Sequence, residues 1–187
     1  MDVVVLNGAR ATDRKVDEAT DILQTNLASA NISSYRLRDI KVADCIGCFG
    51  CWVKTPGQCV INDAAREIAY KMPRSDLISY VSPIVFGGYS YELKKVLDRQ
   101  ISGILPFMER FEGEVHHPQR YEKRGKLAAV GVLPAPDIAS EEIFKTLLYR
   151  NSLNKQALKQ GTTVIYESDD AATIEGKVRG LLAELEV

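Results

Sequence analysis

Met1-Asp2-Val3-Val4-Val5-Leu6-Asn7-Gly8-Ala9-Arg10-Ala11-Thr12-Asp13-Arg14 opens the chain with an apolar, β-branched run that ends at a glycine-bearing loop. Val16, Ala19, Ile22, Leu23, Leu27 and Ala30 then recur at the spacing of one helical face. A strand, a loop and an amphipathic helix are the first unit of an alternating chain, and the alternation continues. The pattern predicts a second strand over 34–40 and a helix that Asp63 caps and that buries Ile68 and Ala69. A third strand is expected over 77–81, then a helix capped by Ser90 with Leu93, Val96 and Leu97 inward. A fourth strand over 126–133 precedes a helix over 140–153, which opens with an imperfect capping box at Ser140. A fifth strand over 162–166 and a final helix over about 171–185 complete the chain. Parallel neighbours need crossovers, so five strands with intervening helices imply an α/β three-layer sandwich with helices on both faces of a parallel sheet.

The 187 residues, 45% hydrophobic and 26% charged, suffice for one domain over 1–187 with an ordinary core. The expected strand order is 2-1-3-4-5, the flavodoxin-like arrangement. A net charge of -1 removes the electrostatic argument for a nucleic-acid binder, and the basic residues between 120 and 126 are interrupted by acids, as in a solvated loop. The opening run is too short and wrongly flanked for a secretory signal, and no apolar stretch approaches membrane-spanning length. The expectation is a cytoplasmic protein with no membrane partner.

In this architecture ligands bind beyond the carboxyl ends of the strands, where the strand order reverses. Two loops fall there. In the first, amides at the start of the helix, with Arg10 or Arg14 and the Thr12 hydroxyl, can hold a phosphate. Asp13 would repel that phosphate if it pointed inward, and serves equally well as the helix N-cap. The second loop is Ser82-Pro83-Ile84-Val85-Phe86-Gly87-Gly88-Tyr89-Ser90. Pro83 stiffens the strand exit, Gly87 and Gly88 let the backbone approach a planar ligand, and Phe86 and Tyr89 can flank a ring. The plainer alternative is a tight turn with its aromatics in the core.

All four cysteines lie in one segment, Cys45-Ile-Gly-Cys48-Phe-Gly-Cys51 followed by Cys59. A disulfide framework would spread them to staple distant segments. The two-residue spacers let Cys45, Cys48, Cys51 and Cys59 converge on a [4Fe-4S] cluster; structural zinc and free thiols are the other readings. Trp52 reads as packing that can also shield such a site. His116 and His117 point in different directions and lack ligand-spaced partners, so they read as surface loop residues. They belong to a long connection over 103–125 in which His117, Arg120 and Tyr121 can reach a substrate or a neighbouring subunit, and in which the apolar segment 107–111 is a candidate interface. Arg99 ends its helix where a cation complements the dipole.

The stretch from Ser82 through Tyr91-Glu92-Leu93-Lys94-Lys95-Val96-Leu97-Asp98-Arg99 resembles the flavin-ring loop and following helix of NAD(P)H-dependent FMN reductases. The cysteine segment, with Trp52, Thr55-Pro56-Gly57 and Asn62-Asp63, is similar to the cysteine-bearing branch that includes the iron-sulfur flavoproteins. The resemblance implies non-covalent FMN, its ring at Pro83, Ile84, Val85, Phe86, Gly87, Gly88 and Tyr89 and its phosphate at Gly8, Arg10 and Thr12. It also implies NAD(P)H as co-substrate and a homodimer or homotetramer. The first loop departs from the family's usual Gly-Ser-Pro-Arg and Ser-Asn-Thr pattern, with Ala9 in place of a hydroxyl donor. The function it implies is transfer of electrons from NAD(P)H or a reduced carrier to a quinone, a flavin or another small acceptor. The flavin would carry that chemistry, so no side chain is assigned as catalytic acid or base. Two other classes stand beside it: a non-enzymatic flavin and [4Fe-4S] electron-transfer protein, and a relative that has lost flavin binding.

Overall fold

A computed structural model describes residues 1–187. The strands β1 (Asp2–Asn7), β2 (Asn31–Arg36), β3 (Leu77–Pro83), β6 (Lys126–Leu133) and β7 (Gln160–Tyr166) form one sheet in the order β2-β1-β3-β6-β7. Every neighbouring pair is parallel. Leaving out the short antiparallel pair β4 (Glu109–Phe111) and β5 (Glu114–His116), this is the expected 2-1-3-4-5 order. The period-2 alternation of the strands divides the core in two. Val3 and Val5 of β1 face α1 (Arg14–Asn26) and α6 (Ala171–Glu184), burying Leu23 and Val178. Val4 and Leu6 face the other way. They share a core with Ile68 of α3 (Ala64–Lys71), Leu93 of α4 (Tyr91–Asp98) and Phe144 of α5 (Ile138–Lys155). Each such side chain, once buried, contributes about 1.5–3 kcal/mol, which ties both helical layers to the sheet.

Several boundaries differ from the sequence expectation: β3 runs on to Pro83, β7 begins at Gln160, and two shifts have a clear cause. The second strand is Asn31–Arg36 rather than 34–40, because β2 pairs with β1 from Asp2↔Asn31 to Asn7↔Arg36. Leu37 is then turned inward, fully buried, by a 3-10 turn over Leu37–Asp39. The helix α5 begins at Ile138, and its cap is Asp137, which accepts from the Ser140 amide at 3.2 Å; Ser140 is the donor, not the cap. Within the long connection 103–125, β4 and β5 make a hairpin whose Glu112 and Gly113 both have positive φ. His116 there is buried rather than at the surface, with Nδ1 3.1 Å from Asn154 Oδ1. No helix is long and apolar enough to cross a membrane.

β1 continues to β2 on one side and lies against β3 on the other, so the order reverses between β1 and β3. The loops that leave these two strands therefore meet over one crevice.

Candidate functional site

The two loops are stitched together. The Gly8 amide donates to Val81 O at 2.8 Å, extending the β1–β3 ladder by one residue. The Gly8 carbonyl accepts from the Ser90 hydroxyl at 2.6 Å, and the same Ser90 oxygen caps α4 by accepting from the Leu93 amide at 3.3 Å. Ser82 Oγ accepts from the Ser90 amide at 3.0 Å. A Cβ on Gly8 would stand 2.9 Å from both Leu93 Cβ and Ser90 Oγ, so only glycine fits this crossing. Gly8 thus holds the crevice together.

Beyond β3 the chain makes a reciprocal pair of hydrogen bonds between Val85 and Gly88, each 2.9 Å. Phe86 and Gly87 between them both have positive φ, +50° and +75°, as a two-residue type I′ turn requires. Phe86 is 99% exposed, an unusual state for a bulky apolar residue held at a left-handed backbone angle. Pro83 and Ile84 are buried beneath it. The aromatics divide: Tyr89 turns into the core, edge-on to Tyr80 and Phe144, and its hydroxyl accepts from Asn151 Nδ2 at 3.0 Å. Burial raises the Tyr89 phenol to about 12, against the partial relief of the Asn151 bond.

In the first loop the amides of Ala9, Arg10, Asp13 and Arg14 are all bonded within the loop. Those of Ala11 and Thr12 have no partner in the chain, and both residues are exposed. Asp13 stands at the N-cap position of α1 but makes no capping bond. Its carboxylate turns back on Arg10, accepting from the Arg10 amide at 2.8 Å and from the guanidinium at 2.8 and 2.9 Å. That guanidinium holds the Asp13 carboxyl below its ordinary range. The loop therefore carries its own anion where a phosphate is expected.

The cysteine segment folds against the 3-10 turn Arg99–Gly103 that follows α4. The left-handed Gly47 and Phe49 reverse the chain ahead of the short helix α2 (Gly50–Val53). Cys45, Cys48, Cys51 and Cys59 then line one small pocket with Ile61, Arg99 and Ile101. All four are free thiols, and no three metal-ligating groups converge to hold an ion. Burial, then the other three cysteines, push the Cys51 thiol up. Trp52 anchors the segment by donating its indole N–H to Ile101 O and Ile104 O, at 2.9 and 3.1 Å.

Arg99, assigned from sequence to a helix-dipole role, is 1% exposed and bolts the segment to α4. It donates to Ala43 O at 2.8 Å, to Ile61 O at 3.2 Å and to both oxygens of Asp63 at 2.9 and 3.0 Å. Asp63 occupies the N-cap position of α3 without a side-chain cap bond, because its carboxylate is committed to Arg99 and the Ala43 amide. Arg120 is likewise structural, donating to Ser102 O and Ile104 O. No periodicity links residue 99 to residue 63, and no local signal in Leu93-Lys94-Lys95-Val96-Leu97-Asp98-Arg99 marks the arginine as buried.

A parallel sheet of this order, with two stitched loops at its reversal point, defines the flavodoxin-like class of fold. The chain belongs to the NADPH-dependent FMN reductase family, whose model matches residues 1–131. Membership makes it an oxidoreductase. An iron-sulfur flavoprotein of Methanocaldococcus jannaschii is 44% identical over 63 residues, 34% of this chain and 32% of that protein. The match thus spans about a third of the relative's length. Among solved structures, the NAD(P)H:quinone oxidoreductase from Methanothermobacter marburgensis superimposes with a TM-score of 0.67 at 12% identity, covering 100% of this chain and 98% of that one. The FMN-dependent NADH-azoreductase of Bacillus anthracis, in complex with FMN, gives 0.60 at 12% identity, with 98% of each chain covered. At these identities the likeness is one of fold.

Proposed function

We propose that the whole chain works as one FMN-binding domain that passes electrons from NAD(P)H or a reduced carrier to a small acceptor such as a quinone or a flavin. The observation that carries this reading is the I′ turn at the exit of β3, which holds Phe86 fully exposed in the loop that Ser90 stitches to Gly8. A bulky apolar side chain kept in water at a left-handed angle is a feature that a ligand or a neighbouring subunit would cover. When bound, FMN supplies the ability to take up electrons in a pair and release them singly or together. The Thr12 hydroxyl and the free Ala11 and Thr12 amides would receive its phosphate beside Arg10, with Gly8 fixing their place. The backbone from Pro83 to Tyr89 would orient the ring, and Phe86 would keep water from its face. In the same reading Cys45, Cys48, Cys51 and Cys59 are the proposed ligands of a [4Fe-4S] cluster: they share one pocket with mostly apolar walls, and since no three of them converge as they stand, the segment would have to draw in around it. The exposed Phe107, Met108 and Val115 on the β4–β5 hairpin are the proposed contact of a homodimer or homotetramer. Four cysteines with no disulfide among them suit the reducing cytoplasm.

The test is purification without air, followed by the visible spectrum and a count of flavin and iron. FMN that NADPH or NADH bleaches, with about four irons per chain, is the expected result. FMN indifferent to both nucleotides but reduced by a carrier protein would make the chain an electron-transfer module.

One observation favours the reading in which flavin binding has been lost: the Asp13 carboxylate already occupies Arg10. It also sets up a prediction. Asp13→Asn removes the resident charge and frees the guanidinium, so affinity for FMN in a fluorescence titration is expected to rise about tenfold, roughly 1.4 kcal/mol. Unchanged or weaker binding would place the phosphate away from Arg10.

A further inference from the structure

All five strands of the main sheet run in the same direction, so the two loops gather at its carboxyl end and leave the amino end to different chemistry. There a cavity of about 380 Å³ opens among the first halves of β3 and β6, the 3-10 turn Arg99–Gly103 and the last turn of α5. That volume falls in the lower part of the range of roughly 300–1,000 Å³ typical of small-molecule sites. Met72, Ile78 and Leu97 give it an apolar wall. Its polar lining mixes lysines, carboxamides and Asp98. Lys155 stands half-buried at the end of α5, and its one side-chain partner is the Gln100 amide oxygen, a neutral acceptor. Gln100 Nε2 and the hydroxyl of the fully buried Tyr80 face each other, but neither completes a hydrogen bond.

An ammonium group taken out of water without a carboxylate costs several kcal/mol, and each buried donor left unmade adds about 1–3 kcal/mol. Burial alone, with no compensating charge, pulls the Lys155 pKa down to about 8. The other charges on the wall are engaged elsewhere: Asp98 holds Lys94, Lys123 holds Asp76, and Lys126 donates to Glu186 O. One free cation and two free donors above an apolar floor form the complement of a single carboxylate on an apolar body.

We propose that this cavity is a binding site for a small organic monocarboxylate. Its carboxylate would be received by Lys155, Gln100 Nε2 and the Tyr80 hydroxyl, and its apolar or aromatic body would lie against Met72, Ile78 and Leu97. A phosphate dianion would bring more charge than one lysine balances, and a neutral carbonyl would leave the ammonium uncompensated.

The test is calorimetric titration of the full chain with benzoate and with benzamide, its neutral counterpart. Benzoate is expected to saturate and benzamide to bind at least about tenfold more weakly. Lys155→Met should lose benzoate binding by at least about tenfold while melting at the same or a higher temperature, since it removes an unpaired buried charge. Tyr80→Phe, which keeps the shape of the core, should weaken benzoate severalfold and serves if Lys155→Met does not fold. Saturation with FMN should leave benzoate binding unchanged. The proposal is overturned by absence of saturation at about 10 mM benzoate, by equal binding of benzamide, by full binding to both variants, or by displacement with FMN.

Discussion

Arg99→Met is expected to destabilise the chain by about 3–5 kcal/mol, the usual consequence of removing one partner of a buried ion pair. The substitution would leave the Asp63 carboxylate, 7% exposed, without its cation, and the Ala43 and Ile61 carbonyls without their donor. For a chain of this size that is a fall in melting temperature on the order of 10 °C, which denaturant unfolding with an unchanged slope would confirm. The double variant with Asp63→Asn should recover part of the loss, because the stranded charge is gone; a simple sum of the two single effects would mean that the groups do not act as a pair. The pH dependence has a definite sign. Burial pushes the Asp63 carboxyl up, but Arg99 and the Ala43 amide outweigh it and hold it below its ordinary value of 3.8. The stabilisation from this carboxylate is therefore fully present above pH 3.8 and fades as the pH falls through the lower value of the folded chain. The gap between the parent and Arg99→Met should narrow in that acid window.

Gly8→Val is the second large effect. The position does not need a left-handed backbone; the cost is spatial, since the new Cβ would meet Leu93 and Ser90 at 2.9 Å. Overpacking of a tight site costs about 1–3 kcal/mol, and driving the Ser90 hydroxyl away would leave the Gly8 carbonyl without its donor, at a comparable cost. Because the same hydroxyl caps α4, the start of that helix should fray, which amide exchange at Leu93 would register. FMN affinity should fall along with stability. Normal affinity in a destabilised variant would show that the ring and phosphate loops do not depend on this crossing.

The sheet was legible in the sequence because its central strands are buried on both faces and read as short β-branched runs between helical stripes. Where that signal thinned, so did the reading: β2 is an edge strand whose Asn31, Ser33 and Ser34 carry no apolar pattern, and the buried Leu37 just beyond it drew the expectation too far along the chain. The clustering of the four cysteines and the turn at Gly87 and Gly88 were also visible, since both are local. Pairings between distant residues were not. Asp13 and Asp63 sit at N-cap positions as composition suggests, yet each carboxylate goes to an arginine instead, because an ionic partner holds a carboxylate more strongly than a neutral amide does. The cavity around Lys155 was invisible for the same reason: its walls come from segments far apart, and a lysine in the last turn of a helix looks like any dipole-matched cation.

The stitch through Gly8 and Ser90 also joins two parts of the chain that lie far apart in sequence. The first loop cannot take its final place until β3 and the start of α4 have docked, so its ordering belongs to the long-range, slower part of folding. A break at this crossing would surface as delayed closure of the sheet's carboxyl end, and not only as a lower melting temperature.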